Sequence, residues 1–156
     1  YGDPLLPQIA VGVQHKRKLD GNVTGAVGAS GGQGTDFYLS ATKLFLSESI
    51  LANATVRYTN ANQTGLLGFG GDQESDRSVQ LEGSLAYQLS RKLVIGGEYR
   101  TKPDNLSFAK EDDWFDLFAV YAINRNLSVT AAYADLGSVA TAVKQRGALF
   151  SLQTAF

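Results

Sequence analysis

The 156-residue chain has no cysteine, no methionine, three prolines, one histidine and one tryptophan. Without cysteine, disulfide frameworks and thiolate metal sites are excluded. Fourteen basic and 15 acidic residues leave a net charge of −1, which gives no electrostatic reason to expect a nucleic-acid partner. Although 44% of residues are apolar, no stretch approaches the roughly 20 consecutive apolar residues of a membrane-crossing helix. The absence of an initiator methionine and of a signal peptide reads as a mature, processed or trimmed chain. The length suits one domain over 1–156.

What is present is glycine, 17 in all, and a two-residue rhythm. Eight alternating segments are predicted as strands at 8–17, 35–46, 50–61, 78–90, 92–102, 114–124, 127–136 and 146–156. Each is near the roughly 9–11 residues that a tilted strand needs to cross a bilayer. The connections alternate in length. Short ones fall around Ser47, Arg91 and Arg125, and long ones at 18–34, 62–77, 103–113 and 137–145. Short periplasmic turns and longer outside loops are the pattern of outer-membrane barrels. The fold expected is therefore all-β: an antiparallel, closed, up-and-down transmembrane β-barrel of about eight strands.

Strand parity separates two faces. The fourth segment carries Val79, Leu81, Leu85, Tyr87 and Leu89 on one side and Gln80, Glu82, Ser84 and Gln88 on the other. A charge at mid-bilayer on the lipid side costs about 2–4 kcal/mol for Arg or Lys, so the charged side is expected inside. The inward set holds Arg57, Glu82, Glu98, Arg100 and Asp116. In an eight-strand barrel, whose interior is just filled by side chains, these groups are expected to pair as a structural plug. A narrow polar pore or small-ligand site is the alternative. Facing lipid, Phe45, Tyr87, Tyr121 and Phe156 fall at the periplasmic ends, and Phe37, Tyr58, Tyr99, Phe115 and Tyr133 at the outer ends. Two aromatic girdles are the expectation. Lys43 falls on the lipid parity, which requires either snorkelling or a bulge in the second strand.

The loops carry less signal. The glycine-rich stretch 18–34 reads as flexible. The stretch from Asn60 to Gly71 mixes amides, glycines and apolar groups, and is expected either to pack over the barrel mouth or to meet a partner or lipid headgroup. Glu111, Asp112 and Asp113 read as a solvated acidic rim, with a divalent cation as the minor alternative. His15 lies on the apolar parity near an outer strand end, and no serine is evidently paired with it for hydrolysis. No metal ligands, cofactor site or catalytic residues are assigned.

Two resemblances follow. The last strand, with Phe150, Leu152 and a terminal Phe156 on one face, resembles the insertion signal of bacterial outer-membrane barrels, which implies the barrel-assembly machinery as a partner. Thr35-Asp-Phe-Tyr38, Ala41-Thr-Lys-Leu-Phe45, the string from Ala61 to Gly71, the string from Gly97 to Leu106 and that from Glu111 to Phe118 resemble proteobacterial outer-membrane proteins of domain-of-unknown-function family 3034. That resemblance implies a barrel in a Gram-negative outer membrane, in members longer at the N-terminus, and no activity. The expected role is structural or binding, through extracellular loops meeting lipopolysaccharide, outer-membrane lipids or a surface protein. A narrow channel for small solutes is the alternative, and a lipid-modifying enzyme stands third.

Overall fold

The computed structural model describes residues 6–18 and 21–155. Eight strands follow one another: β1 (Gln8–Arg17), β2 (Gln33–Phe45), β3 (Ile50–Thr59), β4 (Ser78–Ser90), β5 (Leu93–Arg100), β6 (Trp114–Ala122), β7 (Leu127–Val139) and β8 (Ala142–Thr154). They pair antiparallel in chain order into a single up-and-down sheet. A short helix, α1 (Gly21–Ala26), sits in the first long connection. No helix among the described residues is long and apolar enough to cross a membrane.

Two features differ from expectation. The sheet is not closed by hydrogen bonds: β1 pairs with β2 and β8 with β7, and no pairing joins β1 to β8 among the described residues. Pairing strictly along the chain leaves the first and last strands as edges, and both are exposed along most of their length. The fourth long loop is also absent. β7 and β8 run on through the stretch read as 137–145 and meet at a two-residue turn, 140–141. The extension bends at two register shifts around Gly137, whose φ of +58° suits a residue without Cβ. Arg146 Nε bonds Asp135 at 2.7 Å across the same hairpin. The other connections keep the alternation, with tight turns at 46–49, 91–92 and 123–126 and long loops at 18–32, 60–77 and 101–113.

The two faces of the sheet follow the parity. The outer face is apolar and exposed on every strand, from Val11 and Leu39 through Leu81 and Leu117 to Phe150 and Leu152. Lys43 belongs to this face. The β2–β3 register is continuous through it, so strand two has no bulge there, and its ammonium donates to the Leu6 carbonyl at 3.1 Å. Aromatic rings collect towards the strand ends of the outer face. Phe37 stands directly across from Tyr58 and Tyr99 across from Phe115 towards the long loops, while Phe45, Tyr87 and Tyr121 lie towards the tight turns. Tyr133, paired with Leu117, sits further in on β7. Phe156 lies outside the described residues. Conversely, the buried apolar residues, Val27, Ala61, Phe69, Leu106 and Ala109, all belong to the long loops. The loops therefore hold a small core of their own at one end of the sheet.

Candidate functional site

That loop core roofs a row of charges on the inner face. At the loop end, inward positions of five consecutive strands come to similar height: Lys16 on β1, Asp36 on β2, Arg57 on β3, Glu82 on β4 and Arg100 on β5. Their signs alternate across the sheet, and the groups pair accordingly. Lys16 Nζ donates to Asp36 Oδ2 at 2.9 Å, and Arg57 Nη1 lies 3.9 Å from the same oxygen. Arg57 Nε and Arg100 Nη2 both donate to Glu82 Oε1 at 2.6 Å. Asp36 is fully buried and takes a further bond from Thr59 Oγ1 at 2.5 Å. The Arg57 guanidinium stands 5.3 Å over the Tyr38 ring, and that of Arg100 lies 6.0 Å from the ring of Trp114. A chain of charge-assisted bonds holds each member in place, as buried charge requires.

Of the five interior charges expected to pair, the structure joins three. Glu98 and Asp116 face one another directly across the β5–β6 register, and neither forms an ion pair among the described residues. The physical reason is register. Glu82 stands opposite Arg100 on the neighbouring strand and takes its guanidinium, which leaves Glu98 with a carboxylate as its neighbour. Asp36 and Lys16 were missed by sequence reasoning. The signal was available, because Asp36 shares the inward parity of Tyr38, and Lys16 that of Gln14, which accepts from Arg57 Nη1 at 3.4 Å.

The roof is built from all three long loops. Phe69 is bridged to both Gly31 and Ala61 by backbone pairing. Asn62 donates from its side chain to the Gly70 carbonyl at 2.7 Å and accepts from Asn105 Nδ2 at 2.9 Å. Gly71 packs so closely on the next loop that a Cβ there would stand 2.1 Å from the Asn105 carbonyl oxygen, which is why glycine is needed. The end of loop 18–34, read as flexible, is thus tied in through Ser30 and Gly31. Gly28-Ala29-Ser30-Gly31-Gly32 in this loop has the Gly-x-Ser-x-Gly spacing of a hydrolase elbow. Here, however, it turns within a loop, and Ser30 Oγ donates to the Gly71 carbonyl at 3.3 Å. The one histidine, His15, places Nδ1 2.9 Å from Thr35 Oγ1.

Of the acidic run read as a solvated rim, Glu111 is buried, whereas Asp112 and Asp113 keep access to solvent. The three carboxylates diverge to separate partners. Glu111 is buried and accepts from the Gln63 amide at 2.9 Å; Asp112 accepts from the Ser138 amide at 2.9 Å; Asp113 accepts from the Lys102 amide at 3.2 Å and from the Tyr99 hydroxyl. Among the described residues no group of three or more His, Cys, Asp or Glu is placed to hold a metal ion. Burial raises the Glu111 carboxyl to about 7, against the opposing pull of Lys102, whose Nζ lies 3.8 Å away. Burial likewise lowers the Lys102 ammonium. Lys102 Nζ sits 4.9 Å over the Trp114 ring and has no hydrogen-bond acceptor among the described residues.

Between the charge row and the roof lies a narrow cavity of about 20 Å³, partly open to solvent, bounded by charged side chains from β1 to β5 and by Thr64, Lys102 and Pro103 of the loops. Further along the inner face, beside Asn53, Ser84, Glu98 and Asp116, a wider space of about 410 Å³ opens to solvent.

A profile of the family described as "Protein of unknown function (DUF3034)" matches residues 1–153. No curated protein and no solved structure matches the chain.

Proposed function

Because the chain belongs to this family of proteins of unknown function, its role has to be read from its own geometry, and we propose that it is a bacterial outer-membrane β-barrel with a structural or binding, non-enzymatic role. The roofed loop end faces outside, and the tight turns and C-terminus face the periplasm. The observation that carries this reading is the outer face, apolar and exposed on every strand and edged by aromatic rings towards both strand ends. A patch of that extent in water is an aggregation liability, whereas hydrocarbon takes it without cost and interfacial rings anchor it. Unpaired strand edges have no place in hydrocarbon. Insertion therefore requires β1 and β8 to pair, with each other or with further strands. Phe150 and Leu152 on β8 supply the outward residues by which the assembly machinery would dock the last strand. Outer-membrane lipids and lipopolysaccharide line the wall, and the roof is the surface offered to an external partner.

A second reading, a narrow channel for small solutes, is favoured by the open space beside Glu98 and Asp116. Single-channel recording of the purified protein in a planar bilayer separates the two. The binding reading predicts no steady current, because the charge row and roof obstruct the outer end. Steady open currents would overturn it in favour of the channel.

A further inference from the structure

We propose that the cavity beneath the roof is a binding site for a small oxyanion, a carboxylate or an inorganic phosphate, held chiefly by Lys102. The inference rests on the binding reading only in treating the roofed end as the working end. The chemistry of the pocket does not depend on the membrane.

Three observations lead to it. The first is charge. Lys16, Arg57, Arg100 and Lys102 line the cavity against the carboxylates of Asp36 and Glu82. Arg57 and Arg100 share Glu82 as their counterpart, so the lining itself is net positive, with Glu111, Asp112 and Asp113 outside it beyond Lys102. Buried charge without a counterpart is costly, and an anion of opposite sign relieves it. The second is an open donor. The Lys102 side chain is 3% exposed and borders the cavity, yet its ammonium makes no hydrogen bond among the described residues. Its contact with Glu111, at 3.8 Å, is too long for one. An ammonium carries three donors, so at least two are free for a ligand. The third is size. The cavity is narrow, and the roof stands over it, which suits an ion of a few atoms better than an extended headgroup or a peptide.

The other charged members are already occupied. Lys16 is held by Asp36, and Arg57 is held by Glu82 and Gln14. Arg100 spends Nη2 on Glu82 and is the second donor the site can offer. Thr101 Oγ1, which also borders the cavity, is committed to Gln80 Oε1 at 2.6 Å. Lys102 is therefore the group on which binding turns.

Trp114 reports on the site directly, since it is the one tryptophan in the chain and its ring lies under both Lys102 and Arg100. The test is a fluorescence titration of the refolded protein in detergent with acetate and with inorganic phosphate, at constant ionic strength held by chloride. Wild type is expected to show a saturable change in Trp114 emission with at least one of them in the millimolar range. Lys102→Gln, once circular dichroism shows it folded, is expected to bind about tenfold more weakly or worse, the scale of a lost charge-assisted bond. Lys110→Gln, at an exposed position, is expected to bind as wild type. No saturable response in wild type to either anion overturns the proposal, and that titration decides alone if Lys102→Gln does not fold. Equal binding by wild type and Lys102→Gln overturns it too. A protein that inserts into liposomes yet fails this titration loses the anion site and keeps the membrane reading.

Discussion

Leu106 and Leu81 are the same residue in opposite surroundings. Leu106, in the roof, is 2% exposed; Leu81, on the outer face of β4, is 54% exposed. The roof is organised as a soluble protein is, with apolar groups inside beside buried polar side chains, such as Asn62, Asn105 and Glu111, that are hydrogen-bonded. The wall below it is inverted, with a row of bonded charges on the inner face and its leucines outside. One sequence thus codes for two solvents. The change-over falls where the strands end, at Thr59, Arg100 and Trp114, because alternation gives way there to loops whose side chains pack without a period.

The sharpest way to break this comparison is to remove a side chain from the roof. Leu106→Ala deletes buried methyl groups and leaves a cavity, so it is expected to cost about 2–5 kcal/mol. Hydrogen exchange at the Asn62 and Gly70 amides, both tied into the roof, measures it. The same change at Leu81 should leave those amides as they are. If both substitutions act alike, the roof is not a separate core. Next in size is the charge row. Arg57→Leu takes one of two cations from Glu82, which keeps Arg100, and the more distant of two from Asp36, which keeps Lys16. Because each carboxylate keeps a second cation and Glu82 keeps some access to water, the expected cost is about 2–3 kcal/mol, below the full penalty for a broken buried pair. Lys110→Leu, at a residue 74% exposed, should change stability by less than about 0.5 kcal/mol. Thermal shifts of gel mobility compare the two, and equal shifts would contradict the inner-face assignment.

The subtlest contrast is a pH dependence of the roof. Glu111 titrates near 7 in the folded protein and near the ordinary glutamate value of about 4.3 when unfolded. Its folded value is raised, so the native state holds the proton more tightly between these limits. Stability is therefore greatest below the unfolded value and falls as pH rises towards 7, by on the order of 3 kcal/mol for the whole shift, in which the pull of Lys102 is already included. Glu111→Gln should flatten the decline. Exchange at the Gln63 amide, which Glu111 accepts, is the readout at pH 5 and pH 7.5.

Much of the wall was legible in the sequence. β1 and β4 begin and end where alternation does, because turn residues bound them. Parity also placed Arg57, Glu82 and Arg100 on one face. It could not say which charges meet, since pairing is set by register between strands: Glu82 faces Arg100, while Glu98 faces Asp116. The β7–β8 hairpin was misread because Gly137 and Ser138 look like loop residues, whereas here they sit in a bulged strand. The roof was the least legible part. Gly71 against Asn105 and Phe69 against Gly31 are contacts between distant loops, and no local pattern encodes them. Lys102 belongs to the same class. Nothing in its neighbours along the chain announces that its ammonium is buried beside Trp114.

The central claim is that the outer face of the sheet meets lipid. The chain has no cysteine, so single cysteines at Leu81, Leu117 and Ser84 can each carry a spin label in protein reconstituted into liposomes. The account predicts labels at Leu81 and Leu117 that molecular oxygen reaches readily and a water-soluble nickel chelate does not, with the reverse at the inward Ser84. Labels at Leu81 and Leu117 as open to the chelate as that at Ser84 would contradict it.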